Sequence, residues 1–158
     1  MTEQEFDSRV RQMEGKMYRL ARSMLRSDYD CGDALQNAVF AAWRKLPSLR
    51  EEAQFEAWLM RIVVNACRDV QRGYLRRKGE MPVEEAMQAA SLPPPDVDLQ
   101  MALEKVAEKF RLPILLHYMN GLSVPEIARV LRLPQSTVKG RIREGLKKLR
   151  RLLGEEET

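Results

Sequence analysis

Apolar residues recur every three or four positions through most of this chain, and no stretch shows the alternation of a strand. Val10, Met13, Met17, Leu20, Ala21 and Met24 predict a first helix over 4–26. Asp30 is placed to cap a second helix with Asp33 at its third position. Leu35, Val39, Ala42, Trp43 and Leu46 give that helix its apolar stripe, and Pro47 and Ser48 end it. A short polar loop, 48–54, leads to a third helix marked by Phe55, Trp58, Leu59, Ile62, Val63, Ala66 and Val70, running to about Arg77. Three such helices can share one core, which places a first domain at 1–78.

The pattern then lapses. Residues 79–97 hold Gly79, Pro82, Pro93, Pro94 and Pro95 and read as a flexible linker, with room for a short helix around 83–90. Helical spacing resumes at Leu99, Leu103, Val106 and Phe110. Pro113 is expected to open a further helix through Asn120, with Gly121 just past its end. The second domain is set at 98–153, followed by an acidic tail, 154–158. The fold class is all-α: two small helical domains and a linker.

Within the second domain, Ser123 and Glu126 have the spacing of a capping box, and Pro125 lies in the first turn. Ile127, Val130 and Leu131 face inward, and Ala128 leaves room for a neighbouring helix. Pro134 stops that segment, and Ser136 or Thr137 is placed to cap the next. Val138, Ile142, Leu146, Leu149 and Leu153 form an inward stripe there. Outside it lie Ser136, Thr137, Lys139, Arg141, Arg143, Lys147 and Lys148. Alone, a basic amphipathic helix reads first as a solvated surface. Cap, turn and second helix together make a helix-turn-helix, whose second helix presents its N-terminal end to base edges in a major groove. Arginine pairs with guanine in two hydrogen bonds, and any of these polar side chains can hold phosphates. Arg132 stands in the turn, where a left-handed backbone costs a non-glycine residue about 1–2 kcal/mol.

Charge sharpens the picture. The 158 residues carry a net charge of +4, distributed as +4 over 1–78, −5 over 79–98, +8 over 99–153 and −3 over 154–158. Two basic blocks flank an acidic spacer, as two nucleic-acid-facing modules on a tether would. Cys31 and Cys67 are widely separated and have no CxxC partner, so neither a zinc site nor a disulfide framework is expected. No apolar run has membrane length and no signal-peptide pattern is present, which points to a cytoplasmic protein with reduced thiols. One histidine, no phosphate loop and no nucleophile or metal cluster argue against an enzyme, and neither a cofactor nor a small-molecule substrate is expected.

Two strings carry a family resemblance. The first is Asp30-x-x-Asp33-x-x-Gln36-x-x-x-Phe40-x-x-Trp43, followed by Phe55-x-x-Trp58-Leu59-x-x-Ile62-x-x-Asn65-x-x-x-Asp69-x-x-Arg72. The second is Leu116-x-Tyr118-x-x-Gly121-Leu122-Ser123-x-x-Glu126-Ile127-Ala128 with Pro134-x-x-Thr137-Val138-Lys139-x-Arg141. Together, over about 10–150, they resemble the extracytoplasmic-function (ECF) sigma factors of bacterial RNA polymerase. The resemblance implies a core polymerase partner, engaged at its clamp helices and flap, and promoter DNA. It assigns polymerase contact to Asp33, Gln36, Asn37, Phe40 and Arg44. It assigns the −10 element to Arg50, Gln54, Phe55, Arg61, Asn65, Arg68, Arg72 and Arg76, and the −35 element to Ser136, Thr137, Lys139, Arg141, Arg143 and Lys147. An unstacked base needs a pocket for its edge and ring, which a polar loop beside an aromatic supplies, and Asn65 offers paired donor and acceptor. Members are commonly held inactive by a cognate anti-sigma factor, often at the membrane.

Each assignment has a plainer alternative. Asp30 and Asp33 suit a helix start, Phe40, Trp43, Phe55 and Trp58 suit a core, and Arg72, Arg76, Arg77 and Lys78 suit a solvated helix end. His117 reads as structural. Gly32 and Asn37 stand where the family often has acids, and Arg132 and Ser136 where it often has glycine. The competing function is a stand-alone helix-turn-helix regulator that acts without polymerase.

Overall fold

A computed structural model of the chain describes residues 1–76 and 97–154. The linker residues 79–96, the short helix expected around 83–90 and tail residues 155–158 lie outside the described residues. The described residues are helical and contain no strand, in agreement with the all-α reading. They pack as two compact units, residues 1–76 in one and 97–154 in the other.

In the first unit the expected opening helix is two: α1, Glu3–Gln12, and α2, Glu14–Met24. Met13 between them leaves the helical region, at φ −99° and ψ 0°, and is itself buried. The three-and-four spacing runs through the break unchanged, so periodicity alone could not locate it. α3, Asp28–Lys45, begins earlier than expected. The cap is Ser27, whose hydroxyl accepts from the Asp30 N–H at 3.1 Å, and Asp30 lies inside the first turn. The Tyr18 hydroxyl donates to the Asp28 carboxylate and ties α2 to this start. Burial, together with that bond, pushes the Tyr18 phenol up to about 12.

The face that α3 turns inward also differs. Cys31, Ala34, Ala38 and Ala42 are fully buried, whereas Leu35, Val39 and Leu46 are half-buried and Trp43 is exposed. These small side chains let α3 lie close against α4, Phe55–Arg76. Leu59, Met60, Val63, Val64 and Cys67 of α4 fill the centre, and Met17, Leu20 and Met24 of α2 complete the core. Two short 3-10 turns, Leu46–Ser48 and Glu52–Gln54, connect α3 to α4.

The second unit opens with α5, Val97–Lys105, and α6, Glu108–Ile114. The Arg111 guanidinium donates to the Val106 carbonyl at 2.6 Å and so covers a carbonyl just past the end of α5. Pro113 was expected to open α6 and instead lies within it, buried. Having no N–H, it cannot bond the Lys109 carbonyl. The next residues, Leu115–Met119, widen into a π-helical turn, with Asn120 N–H on the Leu115 carbonyl at 3.1 Å. Gly121 then takes φ 72°, as a residue past a helix end commonly does.

The capping box is present as expected. The Ser123 hydroxyl accepts from Glu126 N–H at 3.3 Å, and Ser123 N–H donates to the Glu126 carboxylate at 2.8 Å. They start α7, Val124–Leu131. Arg132 ends it in the left-handed region, at φ 58° and ψ 51°. The last helix, α8, spans Gln135–Leu152, with Pro134 at its cap position and no side-chain cap. Ser136 and Thr137 are therefore first-turn residues of the helix and do not cap it. α8 packs closely on α6 at Gly145, where an added Cβ would lie 2.6 Å from Ile114 Cδ1 and 3.3 Å from the Phe110 carbonyl oxygen.

Two stability predictions follow from this packing. Replacing a helical glycine with alanine normally stabilises by about 1 kcal/mol. Gly32→Ala, with nothing within 4 Å of its added carbon, should raise the Tm accordingly. Gly145→Ala should lower it, because overpacking of about 1–3 kcal/mol outweighs the propensity gain. Thermal unfolding of both variants checks the opposite signs.

Alkaline pH provides a third. Burial raises the Cys31 thiol from 9.0 to about 11, with Arg22 opposing the shift. A folded value above the unfolded one means stability that is full below pH 9 and lost as pH rises through about 11. The fluorescence of Trp43 and Trp58, both in the first unit, should report a fall in Tm across that window, and Cys31→Ala should make the fall shallower.

Candidate nucleic-acid and partner interfaces

The small inward face of α3 leaves its large residues outside. Tyr29, Asp33, Gln36, Phe40 and Trp43 follow one another at steps of four and three, and Asn37 and Arg44 lie on the same side. Tyr29 is 82% exposed, Phe40 61% and Trp43 42%. All five residues expected to face a polymerase, Asp33, Gln36, Asn37, Phe40 and Arg44, are exposed on this surface. Tyr29 and Trp43 belong to it too. Sequence reasoning left Tyr29 unread and favoured the core for Trp43. The signal that could have found both is the phase they share with Asp33 and Phe40.

A second surface runs along α4. Arg61, Asn65, Arg68 and Arg72 stand at steps of four, three and four, and so share one stripe. Asn65 and Arg72 are exposed, and Arg61 and Arg68 are half-buried. Asp69 neutralises part of the stripe by pairing with Arg72. The α4 backbone is described through Arg76, but the Arg76 side chain lies outside the described residues.

The loop leading into α4 is fastened from α1. The Arg9 guanidinium donates to the Glu52 carbonyl at 3.1 Å and to its carboxylate at 3.3 Å, and lies over the Phe55 ring at 5.5 Å. Arg50 is exposed and Gln54 half-buried. Phe55 was expected to help hold an unstacked base, but it is only 3% exposed. It meets Phe6 edge-on at 6.1 Å and Trp58 at 5.7 Å, and so belongs to the core. Of the residues expected here, Arg50 and Gln54 remain accessible, beside exposed Glu51, Glu52 and Ala53 and half-buried Trp58.

In the second unit, Val138, Ile142, Gly145 and Leu149 bury one side of α8. Ser136, Gly140, Arg143 and Lys147 recur on the opposite side, and Lys139, Arg150 and Arg151 are exposed beside them. Thr137 and Arg141 are half-buried on one flank. Lys147 lies 3.8 Å from the Glu144 carboxylate. The exposed Gln135 and Arg132, at the leading end of α8, escaped the sequence reading as interface residues. His117 is structural: its Nδ1 is 2.9 Å from the Leu122 carbonyl and its ring meets Tyr118 at 4.7 Å.

Among the described residues, no group of three His, Cys, Asp or Glu is placed to hold a metal ion, and no helix is long and apolar enough to cross a membrane. Cys31 and Cys67 are buried free thiols.

The two units match separate family models, Sigma-70 region 2 over residues 9–80 and Sigma-70 region 4 over residues 96–149. The chain is 35% identical over 154 residues to the ECF RNA polymerase sigma factor SigM of Mycobacterium tuberculosis, covering 94% of this chain and 77% of that one. The chain belongs to the ECF sigma factor family. Among solved structures it resembles CnrH, seen in complex with the cytosolic domain of CnrY, at 29% identity and a TM-score of 0.71, over 99% of this chain and 92% of that one. It also shares the fold of the sigma factor RpoE of Bartonella quintana, crystallised with the anti-sigma factor NepR, at 20% identity and a TM-score of 0.77, over 97% and 99% of the two chains. In this ECF sigma factor, the α3 and α4 surfaces therefore lie in the region 2 match and α8 in the region 4 match.

The Arg9 anchor can be tested directly. Arg9→Met should raise amide exchange at Glu52–Gln54 about fivefold, the equivalent of roughly 1 kcal/mol for a half-exposed pair. Exchange within α4 should be unchanged. Hydrogen-exchange mass spectrometry makes the comparison.

Proposed function

We propose that this chain binds core RNA polymerase and directs promoter-specific transcription initiation. The outer face of α3 docks on the polymerase clamp helices. The α4 stripe with the Arg50–Gln54 loop engages the −10 element, and α8 reads the −35 element in duplex form. The observation that carries this reading is one chain with two separately folded basic surfaces, one matching sigma region 2 and the other region 4. A stand-alone regulator would need only the second unit and would leave the exposed aromatics of α3 without a use.

The chemistry fits the division of labour. Tyr29, Phe40 and Trp43 supply apolar anchors, and Asp33, Gln36, Asn37 and Arg44 a polar rim. Arg61, Arg68 and Arg72 track phosphates while Asn65 offers a donor and an acceptor to a base edge. At α8 the first-turn Ser136 and Thr137, with Lys139, sit at the end that enters a major groove. The chain has no catalytic chemistry of its own and works in the cytoplasm as a specificity subunit of the polymerase. CnrH, seen with the cytosolic domain of CnrY, supports a regulatory protein partner of the anti-sigma class for this chain as well.

Transcription with purified core polymerase tests the proposal: promoter-dependent initiation should require this chain, and initiation without it would refute the reading. Two variants separate the surfaces. Lys139→Ala should weaken promoter binding by the holoenzyme about tenfold, within the 1–3 kcal/mol of a single contact, and leave core affinity intact. Phe40→Ala should weaken core affinity by about tenfold or more, the cost of a buried aromatic anchor. Equal losses of core affinity in both would mean that the roles are misassigned.

A further inference from the structure

Arg132 is the one non-glycine residue with positive φ among the described residues. Glycine takes that conformation without steric cost. The turn needs the conformation: the Arg132 and Leu133 N–H groups both bond the Ala128 carbonyl, which closes α7. Nothing in the turn needs an arginine. Its side chain is exposed between buried Leu131 and half-buried Leu133, and it makes no hydrogen bond or ion pair among the described residues. A side chain kept at a strained position without a structural task is a candidate for a functional one.

Its place supplies the task. Only Leu133 and Pro134 separate Arg132 from α8, so its Cα lies at most about 11 Å from that of Gln135. It therefore borders the helix end that carries exposed Ser136 and Lys139. We infer that Arg132 grips a duplex-DNA phosphate beside the major groove entered by α8, and so sets the register of that helix. This rests on the reading of α8 as the DNA-entering helix. A phosphate contact carries no sequence information, so any duplex reports it.

The test uses the full chain and a fluorescein-labelled 25-base-pair duplex of mixed sequence, with affinity followed by anisotropy across a salt series. Each phosphate contact contributes about 0.9 to the slope of log affinity against log salt. Arg132→Gly and Arg132→Asn, both suited to the left-handed region, should each lower the slope by about one and the affinity near 0.1 M salt about five- to tenfold. Arg132→Lys should keep the slope. The Tm of Arg132→Gly should be no lower than that of the parent, so its weaker binding would not reflect a damaged fold. Wild-type slopes for both neutral variants would overturn the inference, and so would a slope lost equally in Arg132→Lys. Lys139→Ala separates the two readings. If it weakens binding while the neutral Arg132 variants do not, only the role of Arg132 falls. If Lys139→Ala and the neutral variants all bind as the parent does, the DNA-entering reading of α8 falls with it.

Discussion

The first unit depends on how close α3 can come to α4. Cys31, Ala34, Ala38 and Ala42 have little side chain to place between two backbones, so the helices meet tightly and α4 fills the middle with Leu59, Met60, Val63 and Val64. A consequence is that the larger residues of α3 find no room inside. Tyr29, Phe40 and Trp43 stand outward because the inner face is reserved for small residues. Burial of the core and presentation of the outer aromatic surface are thus two results of one choice of side chains. The Ser27 cap and the Tyr18–Asp28 bond hold the start of α3, and so fix the phase in which both faces are read.

The second unit solves a similar problem with glycine. At Gly145 the backbones of α6 and α8 approach until a methyl group no longer fits. Pro113 and the π-helical turn after it carry the chain from that contact toward Gly121 and the capped start of α7. The helix-turn-helix is therefore braced from behind, by a contact on the side of α8 opposite Gly140, Arg143 and Lys147. A helix that presents side chains to a groove gains from this, because orientation errors of a few degrees at the brace become displacements at the tip.

Much of this was legible in the sequence where local chemistry decides the structure. The Ser123–Glu126 box, the stop at Pro134 and the left-handed turn at Arg132 each depend on residues within one turn of chain, and each is found where expected. The face of α8 was readable for the same reason, since Val138, Ile142 and Leu149 are both large and buried. The errors came where partners distant in sequence decide. The break at Met13 preserves the apolar phase and leaves no mark in the spacing. The inner face of α3 was read from Leu35 and Val39, which outweigh alanines in hydrophobicity, although closeness to α4 favours the alanines. Phe40 and Phe55 are alike as residues. Their fates diverge because Phe6, Trp58 and Arg9 close around one of them only.

The Arg9–Glu52 anchor has a consequence for how such a chain changes over generations. The loop before α4 is secured through the backbone carbonyl and carboxylate of Glu52 and through the buried ring of Phe55. The side chains of Arg50, Glu51 and Ala53 take no part in that fastening. They form an exchangeable cassette on a fixed mount: a lineage can rewrite them one at a time, retuning what the loop recognises, while the helices behind it stay as they are.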